Sequence, residues 1–231
     1  MARSEPRELD RVPYRPLVDG SVTLHWIPLG AGARSVRVNG IVYEAVTAAV
    51  ERRSRCRLYH SALEIALPTG RFMIEMTPVP KEPGDGRGVV AAGPVGVRAA
   101  GRLRLFRYEV RRWRDGIVPD LAYAVASPVV TRDPATAQRV FALLPSVPTA
   151  TWGRDELRAG EMWSCNSITA WVLARAGVDM DSVPFPVHAR APGWDAGLAV
   201  ARRAEPDHII RRAALHPAHG RSPGGQPSAP V

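Results

Sequence analysis

Residues 58–65 (LYHSALEI) and 71–77 (RFMIEMT) decide the fold that the sequence predicts. Both runs have the residue types of β-strands, and Pro68, Thr69 and Gly70 between them are typical of a turn. A turn centred on Pro68 and Thr69 gives an antiparallel hairpin with one apolar face. That face carries Leu63, Ile65, Leu67, Phe72, Ile74 and Met76. We therefore expect this face of the hairpin to pack on the core.

The opposite face of the predicted hairpin carries His60 and Glu75. The register pairs His60 with Thr77 and Ala62 with Glu75, which makes Glu75 a diagonal neighbour of His60, ~7–8 Å away at Cα. A carboxylate in that position can orient an imidazole and stabilise its charged form. Glu64 lies on the same face as His60 and is the alternative to Glu75. A one-residue bulge at the turn would reverse these assignments.

A second informative stretch, residues 163–171 (WSCNSITAW), predicts the start of a helix. Ser164 is suited to the N-cap position, which puts Cys165 in the first turn. The exposed amides and the positive end of the helix dipole favour a thiolate over a thiol of ordinary pKa ~8.5. The same amides can hold the oxyanion of an acyl-transfer intermediate. The sequence thus predicts Cys165 as nucleophile, His60 as base and Glu75 as the residue that orients His60.

These residues resemble the circularly permuted branch of the NlpC-type papain-like superfamily, which includes lecithin retinol acyltransferase-like and PPPDE-like thiol hydrolases. The resemblance is carried by residues 59–64 (YHSALE) and 164–169 (SCNSIT), with the histidine before the cysteine. It implies a Cys165 nucleophile, a His60 base and a third polar residue on the next strand. That position often holds His, Asn or Gln in such families, whereas Glu75 stands here. The resemblance leaves the substrate class open.

The remaining segments predict a single α+β domain with a small antiparallel sheet packed on the helix that bears Cys165. We expect an N-terminal arm over residues 1–18, the domain over 19–203, and a segment over 204–231 that ends in a disordered tail. Within the domain, expected strands are 22–29 and 103–113, with a short hairpin over 35–43. Expected helices are 44–53 and 134–144, the latter with Asp133 as N-cap. The ranges 78–101 and 145–162 are predicted to be loops, and the first of these could cover a substrate.

The Cys165 helix is expected to be amphipathic and to end at Gly177. Its apolar stripe would consist of Ile168, Trp171, Val172 and Ala176. The tryptophans around the cysteine, at 152, 163 and 171, are expected to wall the helix or a pocket rather than to bind a cofactor.

Composition narrows the classes of function. Among 231 residues there are 31 basic and 22 acidic ones, for a formal charge of +9. The basic residues are dispersed and are all arginines except Lys81. No zinc-knuckle, phosphate-loop or helix-turn-helix pattern accompanies them, so a nucleic-acid partner is not expected. Strand 103–113 is where such binding would occur. No run approaches the ~18 apolar residues of a membrane span, and the charged N-terminus lacks a secretory signal, so the expected location is cytoplasmic.

The cysteines and histidines predict neither a disulfide nor a metal site. Cys56 would lie ~13 Å from a cysteine that meets His60, whereas a disulfide requires Cα atoms within ~7 Å. His25 and His188 have no partners at metal-ligand spacing. We expect no metal and no cofactor.

The predicted activity is a thiol-dependent hydrolase, peptidase or acyltransferase acting on a peptide, amide or acyl ester. Each residue also has a structural interpretation: Cys165 and His60 as buried core residues, and Glu75 as a side chain that faces solvent or pairs with an arginine. The alternative function is a catalytically inactive papain-like domain that binds a partner, and a less favoured one is a basic nucleic-acid-binding protein. The sequence does not indicate the substrate, the oligomeric state or the pathway.

Overall fold

A computed structural model describes residues 19–31, 44–45, 47–50, 52–79 and 88–203. The predicted arm over 1–18, the hairpin over 35–43 and the segment over 204–231 lie outside these ranges. Within them the chain forms a mixed α+β structure, as the sequence predicts. Its centre is an open sheet, antiparallel apart from one short parallel pairing.

The sheet has seven strands within the described ranges, in the order β4-β5-β3-β2-β1-β6, with β7 paired in parallel to one end of β2. The strands are β1 (Ser21–Pro28), β2 (Arg57–Leu67), β3 (Gly70–Pro78), β4 (Val89–Pro94), β5 (Arg107–Arg114), β6 (Val129–Thr131) and β7 (Ala189–Arg190). The central position of β2 explains why its residues are buried on both faces, from Ser61 to Leu67.

The predicted hairpin is present with the predicted turn. Leu67 pairs with Gly70 across Pro68 and Thr69, and pairing continues as far as Leu63 and Ile74. Beyond that pair β2 and β3 no longer pair, although β2 stays paired with β1 as far as Tyr59. The sheet therefore opens between β2 and β3 next to His60 and Glu75.

The helices are α1 (Pro134–Leu143), α2 (Cys165–Arg175) and α3 (Trp194–Arg203), and residues 44–45 and 47–50 are also helical. Asp133 caps α1 as predicted, with its carboxylate accepting from the amides of Ala135 and Thr136. Gly177, at φ +86°, follows the last turn of α2 in the left-handed conformation that ends many helices. No helix of the described ranges is both long and apolar enough to cross a membrane.

The prediction of an amphipathic α2 is wrong, because this helix is buried on all sides. Every residue from Cys165 to Leu173 is buried. One side of α2 packs on β2, where the Ser61 hydroxyl donates to Thr169 Oγ1 at 3.0 Å. Another side packs on α3, which the sequence did not predict. The polar residues of α2 are thus internal connections rather than a solvated face.

The range 78–101 is also not a continuous loop, since it contains the edge strand β4. Residue 93 of this strand is a glycine because the Tyr108 ring lies against its backbone, and not because the chain turns there. A Cβ at this residue would lie 2.5 Å from the phenol of Tyr108. The predicted strand 103–113 begins only at Arg107, since residues Arg104–Phe106 form a 3₁₀ turn. The glycines and prolines of residues 78–101 are typical of loops, so the sequence did not predict β4.

The arginines of β5 do not form one basic face. Arg111 points to the face that carries Glu75 and donates to Glu109 at 3.1 Å. Arg112 points to the other face and lies 4.0 Å above the ring of Phe141. Arg111 and Arg112 thus lie on opposite faces of β5, each with a contact inside the protein.

We expect Gly197→Ala to lower the free energy of unfolding by about 2 kcal/mol, because α3 and α2 would have to separate. A Cβ at Gly197 would lie 2.2 Å from the carbonyl oxygen of Ser167 and 2.9 Å from Cβ of Ala170. Urea denaturation measures the change. Arg202→Ala on the exposed side of the same helix is the control and should alter stability by less than about 0.5 kcal/mol. Equal effects of the two substitutions would refute the close α2–α3 contact.

Candidate active site

The first turn of α2 is fixed by a capping box. The Ser164 hydroxyl accepts from the amide of Asn166 at 3.1 Å, and the Ser164 amide donates to the hydroxyl of Ser167 at 2.9 Å. The Ser164 hydroxyl also donates to the carbonyl of Pro192 at 2.7 Å. The N-cap predicted at Ser164 is confirmed, and Cys165 is the first residue of the helix.

Asn166 ties this turn to the sheet. Its side-chain amide donates to the carbonyls of Tyr59 and Pro192, both at 3.0 Å. Asn166 is 2% exposed, so these bonds are shielded from water. Together with the Ser61–Thr169 bond they hold the start of α2 against the part of β2 that carries His60.

The Cys165 thiol lies where the sheet opens, and backbone amides surround it. Burial raises the pKa of this thiol to about 11, while the amides of Ser61, Asn166 and Cys165 itself lower it by hydrogen bonding to the sulfur. Cys165 is 8% exposed. The amides that the sequence predicted are present, but burial outweighs them. At neutral pH the site therefore holds a protonated thiol, and the expected preformed thiolate is absent in this conformation.

His60 lies on β2 immediately before Ser61, whose hydroxyl contacts α2, so the His60 side chain points to the opposite face of the strand. Burial lowers the pKa of His60, and the carboxylate of Asp120 acts in the opposite direction. The imidazole is therefore neutral at pH 7 and able to accept a proton. Within the described ranges, no hydrogen bond joins His60 to Cys165 or to Glu75.

The two predicted carboxylates have different surroundings. Burial raises the pKa of Glu75, Arg111 lowers it from 3.9 Å, and the charge of Glu75 in turn raises the pKa of Cys165. Glu75 is thus close enough to act electrostatically on the thiol. Glu64, the alternative, is instead held by His25 at 3.3 Å and Arg71 at 3.0 Å.

Asp120 is a residue of this neighbourhood that the sequence analysis missed. It lies in a 3₁₀ turn, Pro119–Tyr123, and its negative charge raises the pKa of both His60 and Glu75. Only tertiary packing brings it there, since β5 ends at Arg114 and the turn follows it. The pair Pro119-Asp120 is typical of a turn and gives no sign of a site.

The part of the chain that the structure covers contains no group of His, Cys, Asp and Glu side chains with the geometry to hold a metal ion. Both cysteines are free thiols, Cys56 half-buried and Cys165 buried. The chemistry that this site can perform with its own residues is nucleophilic attack by sulfur with proton transfer to an imidazole.

We expect the stability that the protonated Cys165 thiol contributes to disappear at alkaline pH. The unfolded thiol has a pKa of 9.0 and the folded one about 11, so this contribution is complete below pH 9 and is lost as pH rises through 11. The shift corresponds to about 2–3 kcal/mol. Urea denaturation of the protein and of Cys165→Ser at pH 8 and pH 11 measures it. A stability difference between the two proteins that does not change with pH would contradict the raised pKa.

Comparison of the chain with family models, with curated proteins and with solved structures finds no match in any of the three.

Proposed function

We propose that the protein is a thiol-dependent hydrolase or acyltransferase of the permuted papain-like type, acting on an amide or ester bond. The observation that carries the proposal is the position of Cys165 as the first residue of the capped helix α2, where its thiol lies beside Ser61 of β2 and the amides of Ser61, Cys165 and Asn166 favour its charged form. A structural cysteine has no need of such donors, whereas an acyl-transfer nucleophile needs them for the oxyanion.

The reaction starts from a protonated thiol and a neutral imidazole. As Cys165 Sγ forms a bond to the substrate carbonyl carbon, its proton passes to His60, and the carbonyl oxygen becomes an oxyanion held by backbone amides. Collapse of this intermediate breaks the bond to the leaving group, which takes the proton from His60. Water, or an alcohol or amine acceptor, then attacks the thioester with His60 as base and releases Cys165.

The carboxylates assist by stabilising the imidazolium that forms during attack. Asp120 already favours the charged form of His60. Glu75 is the predicted third residue and lies 3.9 Å from the Arg111 guanidinium. A charged imidazole next to these groups costs less than one in an apolar cavity, which lowers the barrier to proton transfer.

The test is turnover of a panel of amide substrates by the protein and by Cys165→Ala. Loss of the nucleophile should reduce kcat/KM on the order of 10³-fold or more. The panel is run in a Cys56→Ser background so that the second thiol does not react. Full activity of the alanine variant would refute the proposal.

The second candidate function is a catalytically inactive domain of the same type that binds a partner. The 8% exposure of Cys165 and its raised pKa favour this candidate, because the thiol is covered and protonated. Alkylation by iodoacetamide distinguishes the two. An active site must open to substrate, so Cys165 reacts in the folded protein. A sealed domain reacts only at the rate at which it unfolds.

A further inference from the structure

A chain of polar side chains crosses the sheet on the same face as His60 but away from Cys165. The Ser127 hydroxyl lies 2.8 Å from His25 Nδ1, and His25 Nε2 lies 3.3 Å from Glu64 Oε2. Arg71 donates to the other oxygen of Glu64 at 3.0 Å. The proposed thiol reaction uses none of these side chains.

The strands hold this chain in position. Leu24 and Trp26 donate their amides to Pro128 and Ala126, so His25 faces Ser127 across two neighbouring segments. On the other side β1 pairs with β2, with Thr23 opposite Glu64 and His25 opposite Ala62. Glu64 and His25 thus stand on the adjacent strands β2 and β1, Ser127 lies in the segment before β6, and both nitrogens of one imidazole join the three residues.

The protonation states of Glu64 and His25 follow from their hydrogen-bond partners. Burial acts to raise the pKa of Glu64, but hydrogen bonds from His25 and Arg71 outweigh it and hold this pKa below its ordinary value. Glu64 is therefore a carboxylate that only accepts, so His25 Nε2 carries the proton. His25 Nδ1 is then an acceptor, and the Ser127 hydroxyl donates to it. The imidazole is oriented opposite to that of the serine-protease triad, because Nδ1 faces the hydroxyl here and Nε2 faces the carboxylate.

The solvent exposure of these three side chains differs. Ser127 is exposed, whereas His25 is 6% and Glu64 7% exposed. Two exposed apolar residues flank the serine at alternate positions, Val125 and Val129. The carbonyls of Ala126 and Pro128, on either side of Ser127, accept hydrogen bonds from β1, so the Ser127 amide points away from β1. Among the described residues this amide has no hydrogen-bond acceptor. A nucleophile, a free amide donor and an apolar surface therefore occur together at this sheet edge.

We propose that Ser127, His25 and Glu64 form a second acyl-transfer site, independent of Cys165, that takes small uncharged esters with an apolar acyl group. Ser127 Oγ bonds to the ester carbonyl carbon and its proton passes to His25 Nδ1. The tetrahedral intermediate expels the alcohol, which takes that proton. Water then gives a proton to His25 and attacks the acyl-serine. The bond between the acyl group and Ser127 Oγ breaks, the carboxylic acid leaves, and the proton on His25 returns to Oγ. Glu64 holds the ring and stabilises its charged form throughout.

A fluorophosphonate probe tests the site, because it forms a phosphorus–oxygen bond only with an activated serine and releases fluoride. Peptide mass spectrometry of the labelled full-length protein should locate the adduct on Ser127. Ser127→Ala should abolish labelling, while Cys165→Ala should leave it unchanged. His25→Gln should slow labelling by about 10²–10⁴-fold, and Glu64→Gln by a factor between about 10 and 10⁴.

Hydrolysis of p-nitrophenyl butyrate in a Cys165→Ala background, which removes the thiol site, is the second readout and should be lost on Ser127→Ala. Circular dichroism confirms that each variant folds. An unlabelled Ser127 in the folded protein would overturn the proposal. So would labelling that is equally fast in His25→Gln, since the Ser127–His25 bond would then be only structural. An adduct on Cys165 alone would overturn this site and support the thiol site.

Discussion

Replacement of Asn166 by aspartate is expected to lower the free energy of unfolding by more than about 3 kcal/mol at neutral pH. The two side chains have the same shape, but the substitution replaces a donor by a charged acceptor. The new carboxylate would face the carbonyls of Tyr59 and Pro192, each 3.0 Å from the present amide nitrogen. At 2% exposure it could not be hydrated without displacing α2 from β2.

The loss should diminish as the pH falls, because a buried carboxylate next to two carbonyls is protonated more easily than a free one. Its folded pKa is raised, so the penalty is complete at high pH and is relieved as the group takes up a proton. Urea denaturation at pH 7 and pH 4.5 measures this. Asn166→Ala removes the same donor without adding charge and should cost about 2 kcal/mol at both pH values. A pH-independent loss in the aspartate variant would show that residue 166 does not face these carbonyls.

Substitution of His60 by glutamine is expected to slow acylation of Cys165 by an activated ester by about 10²–10⁴-fold. The reason is that the thiol, with a pKa of about 11, is almost fully protonated at neutral pH and requires a base during attack. Glutamine keeps the polarity of the position but takes up no proton. His188→Asn, at an exposed turn with φ +51°, is the matched control and should react like the unmodified protein.

The pH profile gives an independent check on His60. The neutral imidazole is the active form, and burial lowers its pKa from 6.5. As pH increases, the acylation rate should therefore rise with a midpoint below 6.5, the pKa of a free histidine, and then level off. His60→Gln should lack this limb. Unchanged rate and profile in the glutamine variant would assign the base to another residue.

The hairpin and the Cys165 helix could be predicted from sequence because their signals are local. Pro68, Thr69 and Gly70 form the predicted turn, and the apolar alternation on either side selects the register. Ser164 caps its helix through contacts within three residues. Burial of apolar side chains on one face of β3 and β2 follows from the same alternation.

The surroundings of the thiol depend on long-range packing, which a single sequence does not reveal. Asp120 reaches His60 only because the chain after β5 folds back over the sheet. Burial raises the pKa of Cys165, and the helix that carries it packs on β2 and on α3, of which α3 was not predicted. Gly93 in β4 is typical of a turn in sequence, although it is required by the close approach of Tyr108.

The most direct measurement is the location of the acyl group after the protein with Cys56→Ser and Ser127→Ala, which removes the second proposed nucleophile, is treated with p-nitrophenyl acetate. Intact-protein and peptide mass spectrometry should find one acetyl group on Cys165, removed by hydroxylamine, absent in Cys165→Ala and formed slowly in His60→Gln. A folded protein whose Cys165 stays unmodified, while the same thiol reacts once the chain is unfolded in urea, would contradict the account. In that case the cysteine is structural, and the protein functions without it as a nucleophile.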